Sequence, residues 1–115
     1  MAEQGRFEDA IKDFDMAIEL DPDLSDAYFA RAIFFADTSQ LRRAIDDFGR
    51  CIDLTPDKTF AYYLRGKLYG QLGETEKAIQ DLSKAIVIKP DLAGLYVGRG
   101  ILFYQINSIE RAIVD

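Results

Sequence analysis

Apolar residues recur at intervals of three and four along most of the chain, and clusters of polar residues interrupt that rhythm at regular points. Phe7, Ala10, Ile11, Phe14, Ala17 and Ile18 share one face at helical spacing, which predicts an amphipathic helix over residues 7–20. Asp21-Pro22-Asp23 ends it, because proline disfavours helical geometry at the preceding residue and the acidic residues suit the start of the next helix. A second helix is predicted from Ser25 or Asp26 to about Thr38-Ser39, with Tyr28, Ala32 and Phe35 on one face. Leu41–Leu54 then repeats the spacing of the first helix, with Ala44, Ile45, Phe48, Cys51 and Ile52. The cycle resumes as helices over 59–72 and 75–88, and again over 93–106 and 109–115. Breaks within the pairs are expected at Gly5, Ser39, Gly73 and Asn107; glycine and asparagine tolerate the left-handed conformation that closes a helix, and serine fits less well. Such short turns imply antiparallel helix pairs, and no segment alternates with the period of two that a strand needs.

The cycle has a constant length. Pro22, Pro56 and Pro90 are 34 residues apart, as are Tyr28, Tyr62 and Tyr96, and Arg31, Arg65 and Arg99. Ala10, Ala44, Ala78 and Ala112 keep the same step, each followed by isoleucine. A fixed period of this size signals stacked supersecondary units that bury a face against a neighbour. The expected organisation is one repeat domain over 1–115, with a partial repeat at 1–24, repeats at 25–58 and 59–92, and a partial repeat at 93–115.

Composition narrows the function. Twenty acidic against 14 basic residues give a net charge of −6, which disfavours nucleic acid and anionic membrane surfaces as partners. Cys51 is the single cysteine, so no intrachain disulfide forms and a cytoplasmic location is favoured. The first ten residues do not read as a secretory signal, and the most apolar segment, 92–106, is interrupted by Arg99 and too short to span a bilayer. There is no histidine, which removes imidazole base catalysis, histidine metal ligation and Ser-His or Cys-His pairs. The carboxylates follow the repeat and read as solvated charge rather than an acid–base pair. Neither an enzymatic role nor a cofactor is expected.

Each unit shows an aromatic residue, a small residue four positions on (Tyr28/Ala32, Tyr62/Gly66, Tyr96/Gly100) and another aromatic three further (Phe35, Tyr69, Phe103). The next helix brings its alanine, a large apolar residue (Phe14, Phe48, Leu82), a small one (Ala17, Cys51, Ala85) and the closing proline. In this pattern the whole chain resembles a tetratricopeptide repeat protein. The resemblance implies an all-α right-handed superhelical solenoid of about three and a half repeats, and a scaffold that binds a peptide or helix of a partner protein in a concave groove. Lining positions then fall one, five and eight residues after each tyrosine: Phe29, Ile33 and Ala36; Tyr63, Lys67 and Gly70; Val97, Ile101 and Tyr104, with Phe60 and Asp26 at the edge. The positions that carry a chaperone-type carboxylate clamp in this family hold Ala30, Leu64 and Gly98 after the tyrosine, and Asp26, Phe60 and Gly94 before it, from which no clamp can be assembled. The alternative is an architectural or oligomerising segment with an idle groove.

Other expectations concern packing. An arginine recurs where leucine is common in this family, with an aspartate sixteen residues later: Arg31/Asp47, Arg65/Asp81 and Arg99/Asp115. These predict one ion pair per unit; Asp13, Asp47 and Asp81 of the preceding units are the other candidate partners. Gly100, in step with Gly66 and Ala32, is expected to serve close packing, whereas Gly94 and Gly98 either admit a partner's backbone or are unselected. Cys51 reads as a small core residue. The apolar residues at both ends point to a longer array or to self-association through open ends.

Overall fold

The computed structural model describes residues 2–114. These residues form six helices: α1 (Ala2–Leu20), α2 (Ser25–Asp37), α3 (Leu41–Leu54), α4 (Thr59–Gln71), α5 (Thr75–Ile88) and α6 (Ala93–Val114). Among the described residues there is no strand. The chain divides into two compact units, Met1–Pro56 and Asp57–Asp115, each of three helices.

In the first unit α2 packs on α3, and α1 packs on α2. Ala32, Ala44 and Cys51 are fully buried, and Phe48 nearly so. Small side chains thus bring the two helices close while the aromatic ring fills the space beside them. Cys51 is the small core residue that its register predicts. Phe34 of α2 receives Phe7 and Phe14 of α1, with ring centroids 6.1 and 5.9 Å away. In the second unit α4 packs on α5 and α5 on α6. Gly66 is a point of close approach of α4 to α5: a Cβ there would stand 3.2 Å from Asp81 Cβ and 3.3 Å from the Ala78 carbonyl oxygen.

The two turns are of one kind. Ser39 (φ 63°) and Gly73 (φ 77°) are left-handed. Gln40 N–H reaches back to the Phe35 carbonyl at 2.7 Å and Glu74 N–H to the Tyr69 carbonyl at 2.9 Å, the six-to-one bond of a Schellman motif. Ser39 therefore takes the conformation for which serine is poorly suited. The other two expected breaks are absent, since Gly5 lies within α1 and Asn107 within α6, so the two helices expected over 93–115 are one. Folding back is rewarded by large residues late in the second helix, Phe48 and Ile52 or Leu82 and Ile86, all buried. A continuous helix through Asn107 keeps the backbone hydrogen bonds that a turn would break.

The predicted ion pairs form within both units. Arg31 donates to Asp47 through Nε (2.7 Å) and Nη2 (2.8 Å), and Arg65 to Asp81 through Nε and Nη2 (2.8 Å each). These hydrogen bonds are the main cause of the upward shift of both guanidinium pKa values. The second partner of Arg31 is Asp15 at 2.8 Å, not Asp13. Arg99 donates instead to Ser83 Oγ at 3.2 Å, and its expected partner Asp115 lies outside the described residues. All three arginines lie over two rings: Arg31 over Tyr28 and Phe35, Arg65 over Tyr62 and Tyr69, Arg99 over Tyr96 and Phe103, at 5.7–5.9 Å. Tyr28 and Tyr96 each donate a hydroxyl hydrogen bond at 3.0 Å to the carbonyl of the proline six residues earlier, tying the loop to the helix it precedes.

Candidate functional site

The α4 positions one and five after Tyr62 and the α6 positions one and five after Tyr96 line a common open groove in the second unit. Tyr63 and Lys67 come from α4, Val97 and Ile101 from α6, and Leu82 of α5 also contributes. The groove has a volume of about 470 Å³ and a mostly apolar lining. Val97 and Ile101 are 62% and 54% exposed, so their methyl groups are in water as the chain stands. Lys67 Nζ sits 5.5 Å from the Tyr63 ring centroid, which places a cation at the edge of an aromatic face.

Glycine shapes the lining. Gly94 and Gly98 both border the groove, and the structure separates them. A Cβ on Gly98 would meet Leu82 Cδ1 at 3.3 Å, so this glycine lets α6 approach α5; at Gly94 a Cβ would meet nothing within 4 Å. Gly100 does not serve the close packing expected of it. A Cβ added there would also find open space to 4 Å, because α6 runs on through Asn107 and no second helix folds back over it.

The remaining expected positions are distributed. Phe60 and Tyr63 share a smaller depression of about 270 Å³ with Leu92 and Leu95. Tyr104 lines another of about 400 Å³ with Gly70, Thr75 and Ile109. Phe29 and Ile33 belong to the first unit, where Phe29 is half-buried edge-on to Phe48 at 5.6 Å and Ile33 is exposed. Sequence reasoning missed Gln71 and Gln105, which give the groove its amide groups. The signal was present, since both stand nine residues after a repeat tyrosine. A charged hollow in the first unit, about 310 Å³, contains Asp15, Arg31, Asp47 and Arg50. Its charges satisfy one another, Arg50 Nη1 adding a 2.8 Å bond to Asp47, so it reads as part of the structural ion-pair network.

Helix pairs closed by three-residue turns that each hold one left-handed residue, with equivalent faces repeating every 34 residues, define an all-α helical-repeat protein. The family profile described as TPR repeat matches residues 2–38 and 66–107, and the chain belongs to this family. Among solved structures, the crystal structure of MamA is 28% identical, with a TM-score of 0.84 over 97% of this chain and 66% of that one. The first TPR of Spaghetti (RPAP3), solved with the HSP90 peptide SRMEEVD, is 20% identical, with a TM-score of 0.82 over 91% of this chain and 83% of that one. The Arabidopsis OM64 TPR domain is 21% identical, with a TM-score of 0.80 over 90% of this chain and 86% of that one. The last two likenesses establish the fold alone. The chain spans just under two thirds of the MamA chain. No curated protein matches it significantly. The fold is that of a protein–protein interaction module, and among the described residues no helix is long and apolar enough to cross a membrane.

Proposed function

We propose that this chain is a binding scaffold, not a catalyst, and that the groove between α4 and α6 takes up an extended peptide or a helix of a protein partner in the cytoplasm. One observation carries the reading. Tyr63, Val97 and Ile101 present apolar surface in an open groove of about 470 Å³ inside one compact unit, where a side chain of the partner can be desolvated. Gly94 leaves room beside them for the partner's backbone. Phe60 and Tyr104 extend the contact, and Phe29 and Ile33 offer a similar surface on the first unit.

The ligand is apolar or mixed in character. RPAP3 was solved with an acidic peptide ending in a carboxylate, whereas among the described residues the groove has Lys67 as its only cationic lining residue. A carboxylate clamp, nucleic-acid binding and membrane insertion form no part of the reading. The test is capture of partners from a cell extract by the wild-type chain and by the Tyr63→Ala/Ile101→Ala variant, with circular dichroism to verify that the variant is folded. Proteins retained by the first and lost by the second are expected; identical captured sets would favour an architectural segment with an idle groove.

A further inference from the structure

The lining of the groove between α4 and α6 is ordered in rungs. Tyr63 and Val97 are one repeat-equivalent pair, Lys67 and Ile101 the next, and Gln71 and Gln105 the third, each pair 34 residues apart and each rung four residues beyond the last. Both walls, and Leu82 between them, come from helices of one compact unit. The first rung is aromatic and aliphatic, the second sets a cation beside an aliphatic side chain, and the third holds two amides. Among the described residues Lys67 is the only charged one in the lining, in a chain of net charge −6. Its Nζ sits 5.5 Å from the Tyr63 ring centroid, and among the described residues no carboxylate is paired with it. A mostly apolar groove with one cation and no acid attracts one negative charge. Each further carboxylate would be desolvated without a partner and repelled by the acidic chain.

Dimensions select the form of the occupant. Four residues of helix rise about 6 Å, so three rungs span about 12 Å. A groove of that length and about 470 Å³ has a mean cross-section of about 40 Å². An α-helix about 10 Å across needs about 80 Å². An extended segment, with lateral spacings of about 4.7 and 10 Å, needs about 50 Å². Its alternate side chains are about 6.6 Å apart, close to the rung step, so residues two apart reach neighbouring rungs. The amides of Gln71 and Gln105 both donate and accept, which suits a backbone whose N–H and C=O groups are unpaired; a helix satisfies its own.

We infer that this groove selects an extended peptide segment carrying one acidic side chain two residues from a large apolar one, with the apolar side chain at Tyr63 and Val97 and the carboxylate at Lys67. The inference rests on the binding role proposed above and names the chemistry of the ligand.

The experiment is selection from a displayed library of random peptides of about nine residues, long enough to cross three rungs when extended. The baits are the wild-type chain, Lys67→Glu and Tyr63→Ala/Ile101→Ala. Lys67 is exposed, so its replacement leaves the core untouched, and circular dichroism checks each variant. The wild type is expected to enrich peptides with one Asp or Glu two positions from Leu, Ile, Met or Phe. Lys67→Glu should enrich Lys or Arg at the place of the acid and keep the apolar residue. In fluorescence polarisation, changing the acid of a selected peptide to its amide should weaken binding to the wild type about five-fold and should not weaken binding to Lys67→Glu. Peptides that are lost on Tyr63→Ala/Ile101→Ala but carry no acid, or whose amide form binds the wild type equally well, overturn this inference and leave groove binding standing. An acid three or four positions from the apolar residue, the spacing of a helix face, does the same. Enrichment identical on the wild type and on Tyr63→Ala/Ile101→Ala, or none at all, overturns both the inference and the reading it rests on.

Discussion

Arg65 and Asp81 form the ion pair whose removal is most informative, because the two partners are buried to different extents. The Asp81 side chain is 8% exposed and accepts two guanidinium hydrogen bonds of 2.8 Å, while the Arg65 side chain is 22% exposed and lies over Tyr62 and Tyr69. Replacing Arg65 by methionine keeps an apolar, polarisable contact with the two rings but strands a carboxylate that water scarcely reaches. Breaking a buried pair from one side costs about 3–5 kcal/mol, and the partial exposure of this one puts Arg65→Met at the lower end, about 3 kcal/mol. Asp81→Ala leaves a guanidinium that can turn outward and rehydrate, so about 2 kcal/mol is expected. The double variant has neither stranded charge and should cost about 2 kcal/mol, which makes the coupling about 3 kcal/mol. Urea unfolding at pH 7 measures all three; with a slope of about 1.5 kcal/mol per molar, Arg65→Met lowers the midpoint by about 2 M. The Arg65 pKa is raised by its hydrogen bonds to Asp81, so the arginine's contribution is fully present below the ordinary arginine pKa and is lost only as pH rises through the still higher folded value. The coupling should therefore be the same at pH 9. A coupling below about 0.5 kcal/mol, within the usual additivity error, would refute the argument that burial of the aspartate governs the pair.

Three further outcomes follow from the structure. Gly66→Ala should lower stability by about 1 kcal/mol, since its Cβ would press on a backbone oxygen and on Asp81 Cβ, whereas Gly100→Ala, with open space around it, should gain up to about 1 kcal/mol; opposite shifts in thermal midpoint are the check. Ser39→Gly should stabilise by about 0.5–1 kcal/mol and Gly73→Ala should destabilise by about 1 kcal/mol, both read by urea unfolding, because each position holds a positive φ. Fluorescence polarisation with labelled SRMEEVD peptide should show no saturable binding below about 1 mM, a limit corresponding to roughly 4 kcal/mol; tight binding would mean that basic groups other than Lys67 assemble a carboxylate site.

Much of this was legible in the amino-acid sequence because the repeat makes distant positions comparable. The interval of sixteen residues between Arg31 and Asp47, or Arg65 and Asp81, spans a helix pair with its turn near the middle, and both pairs form. Tyr63, Lys67, Val97 and Ile101 could be placed on one surface for the same reason, and they line one groove. Other features depended on neighbours that the periodic pattern does not specify. Asp15 rather than Asp13 reaches Arg31 from the preceding helix, a matter of where α1 lies on α2. Gly98 stands in register with Ala30 and Leu64, so the repeat does not mark it for close packing; its tight contact with Leu82 is set by the approach of α6 to α5, which no local signal encodes. Gln71 and Gln105 were recoverable from their register, but an apolar stripe does not point to them.

The turns show how local preference and burial compete. Asparagine enters the left-handed region more readily than serine, so conformational preference alone would close a helix at Asn107 before it closed one at Ser39. The reverse is observed. A left-handed serine costs roughly 1–2 kcal/mol, whereas each large side chain brought out of water by folding α3 onto α2 returns about 1.5–3 kcal/mol. Phe48 and Ile52 together outweigh the strain at Ser39. The turn at Ser39 is thus held by what α3 buries against α2.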